Sequence, residues 1–188
     1  MANVNHSTLT DPYLHEPKGV ATASSGSVYV ADGAGSGDWS KAHAHINGYI
    51  PFDPVTPAYQ HSVTTGYTVL DPTFSTTLLD DFTGVATPNA RLVYTGTDPL
   101  TAFCDLSFNF KNASGTDHDL EVVFYQNGSV MNGGQIIVTC VAGEWRSATL
   151  KDMTTLNTND YLEIFLKGDA AFTLNVASAS LIINGIPS

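Results

Sequence analysis

LTAFCDLSFNF, at residues 100–110, carries the clearest structural signal in the chain. Its apolar residues recur at every second position, and polar residues such as Asp105 and Asn109 lie between them. Because successive side chains of a β-strand point to opposite faces, this alternation is typical of a strand with one buried face. We therefore predict a half-buried strand here, with Cys104 directed towards the core.

Residues 120–134 extend the β pattern with the string LEVVFYQNGSVMNGG. An apolar run ends there at Asn127-Gly128, the pair that best tolerates positive φ in a two-residue turn. This spacing predicts a β-hairpin centred on Asn127 and Gly128.

The end of the sequence contains a change of phase. Apolar residues occupy even-numbered positions from Phe172 to Val176 and odd-numbered positions from Leu181 to Ile183. Such a slip predicts a β-bulge near residues 177–180.

No sustained helical period appears after Tyr67, so about eight short strands favour an all-β antiparallel sandwich or barrel.

Composition divides the chain into two parts. Residues 1–66 contain five of the nine prolines, and three of these, in IPFDPVTPAY, are typical of an extended linker. We predict an extended N-terminal anchoring segment and linker over residues 1–66 and a β-sandwich head over residues 67–188.

The charge pattern argues against several partners. The net charge is −11, and the seven basic residues are scattered singly, so we expect no nucleic-acid partner. No apolar run approaches the roughly 20 residues that cross a bilayer, so we expect no membrane partner. The start of the sequence lacks the pattern of a signal peptide, and we expect assembly in a host cytoplasm.

Cys104 and Cys140 are expected to be buried free thiols.

The N-terminal part of the sequence contains two motifs to compare with catalytic and ligand-binding patterns, a glycine-rich loop and a His-x-His pair. The loop GAGSG at residues 33–37 fits neither a nucleophile elbow nor a dinucleotide fingerprint, and we predict no enzymatic activity, no catalytic residue and no cofactor. His43 and His45 present a different possibility, since two imidazoles two residues apart share one side of an extended chain. Three such chains around an axis would offer six nitrogens to a metal ion. The alternative is that both histidines are partly exposed and face a protein partner.

Four pieces, taken in order, resemble a known family. They are a Tyr-Thr-Gly turn before a long strand, a Phe-Tyr-Gln-Asn-Gly hairpin, the segment LNTNDYLE and the terminal SLIING. Together, over about residues 67–186, they resemble the jelly-roll domains of the tumour necrosis factor and complement-head type found in bacteriophage fibre and decoration proteins. The resemblance implies a two-sheet jelly roll that forms a homotrimer. Candidate trimer-interface residues are Phe103, Tyr125, Tyr161 and Phe165.

The N-terminal segment, LHEPKGVATASSGSVYVADGAGSGDW, resembles the starts of small virion structural proteins. We predict that it docks onto a major capsid protein, with the backbone of SVYVA adding to a sheet edge. The predicted docking residues are His15, Glu16, Pro17, Lys18, Gly19, Val28, Tyr29 and Val30. These expectations describe a trimeric capsid decoration (cement) protein on the virion surface. The alternative is a receptor-binding tail-fibre tip that recognises a bacterial surface glycan.

Overall fold

A computed structural model describes residues 23, 27–31, 37–41, 44–50, 59–71, 75–85 and 91–187. These residues form antiparallel β-strands, which confirms the predicted all-β class. The strands are β1 (Ser27–Ala31), β2 (Gly37–Lys41), β3 (Ala44–Ile50), β4 (Tyr59–Val63), β5 (Thr68–Val69), β6 (Ser75–Asp80), β7 (Phe82–Val85), β8 (Arg91–Tyr94), β9 (Leu100–Asn112), β10 (His118–Gln126), β11 (Ser129–Cys140), β12 (Trp145–Leu156), β13 (Tyr161–Gly168) and β14 (Phe172–Pro187). Within this described part, no helix has the length and apolarity to span a membrane.

The chain divides into two compact units, Met1–Ala42 and His43–Ser188. In the smaller unit, β1 and β2 pair as an antiparallel two-stranded sheet. In the larger unit, β3 and β4 both pair with β14, although both precede the predicted boundary at residues 66 and 67. The structural division therefore falls before β3, because these two short strands complete a sheet of the larger unit.

The larger unit contains two six-stranded sheets. Sheet I has the order β11-β10-β13-β8-β7, with β5 also paired to β13. Sheet II has the order β12-β9-β14-β3-β6, with β4 also paired to β14. From β9 onward the chain passes repeatedly between the two sheets, and apart from the hairpins β7–β8 and β10–β11 the neighbours within each sheet are not consecutive strands. This crossing pattern is that of a jelly roll and confirms the predicted architecture.

The core lies between the two sheets. On β9, alternate residues from Leu100 to Phe110 are fully buried, as the period of two predicted. The rings of Phe108 and Phe110 stack with centroids 4.7 Å apart. Cys104 and Cys140 are buried free thiols, as expected. Burial raises the pKa of both thiols to about 12.

Both predicted local irregularities are present. Asn127 and Gly128 have φ values of 52° and 78° and form the two-residue turn between β10 and β11. The ladder between β14 and β9 shifts register between Val176 and Ser178, which places the predicted bulge at Ala177. Before this bulge the even-numbered residues of β14 are buried, and after it the odd-numbered residues are buried.

Candidate functional site

The outer face of sheet II carries an exposed apolar surface. It consists of Phe103 on β9, Met153 on β12, and Ile182 and Ile186 on β14, which we call the apolar patch. The exposed fractions are 38% for Phe103, 66% for Met153, 39% for Ile182 and 69% for Ile186. Large apolar side chains clustered on the surface of a soluble protein mark interaction sites more often than single ones do.

Strand register brings the apolar patch together. Phe103 pairs directly with Met153 on one side and with Asn184 on the other. Ile182 and Ile186 lie two residues to either side of Asn184, and therefore on the same face of β14. Side chains on the same face of neighbouring strands are close enough to contact one another. The four residues thus form one surface around Phe103.

The bulge in β14 explains why two isoleucines face outward. Before it, Leu174 and Val176 are buried; after it, Leu181 and Ile183 are buried. Because side chains alternate along a strand, this change of phase directs Ile182 and Ile186 to the outer face. An irregularity of the backbone therefore positions half of the apolar patch.

The apolar patch has a polar border and a shallow hollow. A hollow of about 390 Å³ lies between Phe103, Met153 and Ile186. Nearby, the Lys151 ammonium contacts the Asp105 carboxylate at 2.7 Å and lies 5.9 Å from the centre of the Phe103 ring. An apolar centre with a charged rim is the common arrangement of a protein interface.

The outer face of sheet I holds the other three predicted interface residues. The rings of Tyr125 and Phe165 stack with centroids 3.9 Å apart, and Tyr67 meets Tyr125 edge-on at 5.7 Å. Tyr161 lies beneath Arg91, whose guanidinium carbon is 4.2 Å from the ring centre. Phe103 is on sheet II, so the four predicted residues do not form one surface. Their contact with a second copy stays a prediction.

Charged groups on sheet I are paired with one another. Glu121 accepts hydrogen bonds from the Tyr67 hydroxyl at 2.5 Å, from the Lys167 ammonium at 3.0 Å and from Gln135. Burial raises the pKa of Glu121, but these hydrogen bonds outweigh burial and hold the pKa below its usual value. The hydrogen bond to Glu121 raises the pKa of Tyr67 to about 12.

A second ion pair lies further along this face. The buried carboxylate of Glu163 accepts a hydrogen bond from Arg91 Nε at 2.9 Å. That hydrogen bond raises the pKa of Arg91. The charges of Arg91, Glu163, Lys167 and Glu121 are therefore paired on the sheet I face, and we take the apolar patch on sheet II as the stronger candidate for a protein contact.

Strand β1 of the N-terminal unit contains three of the predicted docking residues. Tyr29 pairs with Trp39 across the β1–β2 ladder, and their rings meet edge-on at 5.5 Å. Val28, the residue before Tyr29, is exposed. The side chain of Val30 lies outside the described residues, as do His15, Glu16, Pro17, Lys18 and Gly19. Docking of this segment stays a prediction.

The two predicted metal ligands, His43 and His45, also lie largely outside the described residues. His43 is not among the described residues; the backbone of His45 lies in β3, opposite Asn184 of β14, but its side chain is not described. In the described ranges, no three His, Cys, Asp or Glu side chains cluster as a metal site would require. The axial metal ion therefore stays a prediction.

Sequence reasoning placed Phe103 on the outer face but did not identify the rest of the apolar patch. Met153 lies in the polar string KDMTT, and Ile182 lies in the continuous apolar run LII, where alternation gives no direction. The phase on either side of the predicted bulge was the signal that could have shown Ile182 and Ile186 to be exposed.

No family model matches the chain, and no curated protein is significantly similar to it. Among solved structures, Eiger TNF from S. frugiperda has a TM-score of 0.48 at 9% identity, covering 77% of this chain and 94% of that one. PRD1 vertex protein P5 has a TM-score of 0.43 at 14% identity, covering 79% and 100%. Murine APRIL has a TM-score of 0.45 at 8% identity, covering 77% and 99%. The jelly-roll assignment rests on the chain's own strand order.

Proposed function

We propose that this chain is a structural protein of a bacteriophage virion, a decoration protein whose heads associate as a homotrimer on the capsid surface. The observation that best supports association of the heads is the apolar patch on sheet II, because four exposed apolar side chains on neighbouring strands gain stability when a second copy covers them. The role is binding rather than catalysis, and it requires no cofactor.

The division into two units supports separate roles in such a protein. The larger unit supplies the head, and the smaller unit, with its β1–β2 hairpin, docks onto the major capsid protein. Within the described residues β1 pairs only with β2, so its second edge can accept a capsid strand. Exposed Val28 supplies an apolar contact beside that edge.

Charge is consistent with heads crowded on a shell. Each chain carries a net charge of −11, so neighbouring trimers repel one another and stay soluble. Added contacts between protein subunits would then stabilise the capsid by mass action, since the decoration protein binds only the assembled form.

Docking is tested with particles of the parent virus that lack this protein. Full-length protein and a version consisting of residues 43–188 are each mixed with the particles, and bound protein is measured after sedimentation. The shorter version begins at the structural division and keeps β3 intact. We expect only the full-length protein to bind, with both versions showing the same oligomeric state. Equal binding by the two would overturn the proposed role of the N-terminal unit.

A point variant avoids the large deletion. Val28→Asp places a charge beside the β1 edge, and Val130→Asp serves as its matched control, since Val130 is an exposed valine on β11 of the head. We expect the first variant to weaken particle binding and the second to leave it unchanged. If both variants bound as the wild-type protein does, docking through this edge would be excluded.

A further inference from the structure

A polar cleft of about 420 Å³ opens between β11 and β12, the edge strands of sheets I and II. Its volume falls within the range of roughly 300–1,000 Å³ that is usual for small-molecule sites. The lining includes Gln126, Asn132, Gly133, Asp152, Met153 and Thr154. Amide, hydroxyl and carboxylate groups therefore converge there.

A large bulge in β11 shapes one wall. Val130 pairs with Tyr125 and Gln135 pairs with Val123, so residues 131–134 lie opposite the single residue Phe124. These four residues, MNGG, have no paired residue in the ladder with β10. Bulges of this kind end regular pairing and redirect side chains, and they are frequent beside binding sites. The wall therefore departs from a regular strand where the cleft lies.

Asp152 forms the opposite wall and fits against the two glycines. A Cβ atom at Gly133 would come within 2.7 Å of one carboxylate oxygen, and a Cβ at Gly134 within 2.8 Å of the other. The absence of side chains at both positions thus makes room for this carboxylate. One oxygen accepts a hydrogen bond from the Met153 backbone N–H at 2.8 Å. A carboxylate has about four acceptor positions, so Asp152 can accept further hydrogen bonds.

The back of the cleft is fixed by a bridge between the sheets. Gln126 accepts a hydrogen bond from the Thr154 hydroxyl at 2.5 Å and donates one to the Thr155 carbonyl at 2.9 Å. This bridge joins β10 of sheet I to β12 of sheet II. A site whose supports are already hydrogen-bonded loses little conformational entropy when a ligand binds.

We propose that this cleft binds a neutral sugar unit of a glycan. Neighbouring hydroxyls of a sugar can donate to the Asp152 carboxylate, while the Asn132 amide can both donate and accept. Among the described residues that line the cleft, none is Lys or Arg, and Asp152 repels anions, so a neutral sugar fits better than a phosphate or an acidic sugar.

Saturation-transfer NMR on the full-length protein tests this site with D-glucose, D-galactose, D-mannose and N-acetylglucosamine. We expect transfer to at least one of them and a loss of affinity of about tenfold or more in Asp152→Asn, which keeps the shape but removes a charged acceptor. Asp105→Asn is the matched control, because it removes one carboxylate from the outer face of sheet II. We expect its affinity to equal that of the wild-type protein.

Two outcomes would overturn the site: no transfer to any of the four sugars, or equal affinity in wild-type protein and Asp152→Asn. If Asp152→Asn does not fold, as judged by circular dichroism, Asn132→Ala at an exposed position decides in its place. Sugar binding is measured on the protein alone and capsid docking on particles, so either proposal can fail while the other stands.

Discussion

Replacing Ile186 by Asp should dissociate the proposed trimer. Burying a whole isoleucine side chain stabilises by about 1.5–3 kcal/mol. Since 69% of Ile186 is exposed in the single chain, covering it at an interface contributes about 1–2 kcal/mol. An aspartate at the same place loses that contribution and adds the cost of desolvating a carboxylate. We expect each interface to weaken by about 3 kcal/mol or more, which is a factor of about 100 or more in affinity.

Sheet I provides a matched control for this variant. Ile137 on β11 is 68% exposed, and β11 is the edge strand of sheet I. Ile137→Asp therefore changes the same side chain, at the same exposure, away from the apolar patch. Both variants should keep the circular dichroism spectrum of the wild-type protein, because exposed side chains contribute little to the folding of a single head.

Sedimentation velocity gives the readout. The wild-type protein should sediment with about three times the 20.0 kDa mass of one chain, Ile137→Asp should do the same, and Ile186→Asp should sediment as a monomer at micromolar concentration. The reasoning is refuted if Ile186→Asp keeps the wild-type mass, or if Ile137→Asp dissociates equally.

Three further predictions concern the stability and chemistry of the head. Gly185→Ala should destabilise the fold by about 1–3 kcal/mol in urea unfolding, since its Cβ would lie 2.3 Å from the Thr101 carbonyl oxygen. Gly115→Ala is the control, because a Cβ there would have no atom within 4 Å, and it should leave the stability unchanged. Equal urea midpoints for the two variants would contradict this. Burial lowers the pKa of His61 below 6.5, so the unfolded chain binds more protons at acid pH; the melting temperature should fall as pH drops below about 6.5, and less steeply in His61→Gln. Cys104 and Cys140 should resist a thiol reagent at pH 8 until urea unfolds the protein, because both thiols are buried with a pKa of about 12; rapid labelling of the folded form would refute this.

Local signals in the sequence predicted local structure well. The alternation in β9, the turn at Asn127 and Gly128, and the bulge at Ala177 each depend on a few adjacent residues, and the structure contains all three. The pairing of β3 and β4 with the head could not be predicted, for the opposite reason. The strands β3 and β4 are ordered by pairing with β14, more than 100 residues away, and no local pattern reports such a pairing.

The candidate surface was only partly predictable for the same reason. Phe103 could be assigned to an outer face from the alternation in β9 alone. Its neighbours are set by the register of β12 and β14 against β9, which the sequence of no single strand contains. The polar cleft went unrecognised because the bulge at MNGG appears in the sequence only as an ordinary glycine-rich stretch.

The position of β14 has a consequence for synthesis on the ribosome. Along one side β14 pairs with β9, and along the other it pairs first with β4 and then with β3. Until residues 172–187 leave the exit tunnel, β3, β4 and β9 all lack the strand that joins them. Sheet II therefore closes only after residues 172–187 have been synthesised, and a nascent chain exposes its apolar strands until then. We expect newly made chains to depend on chaperones until β14 has been inserted between its partner strands.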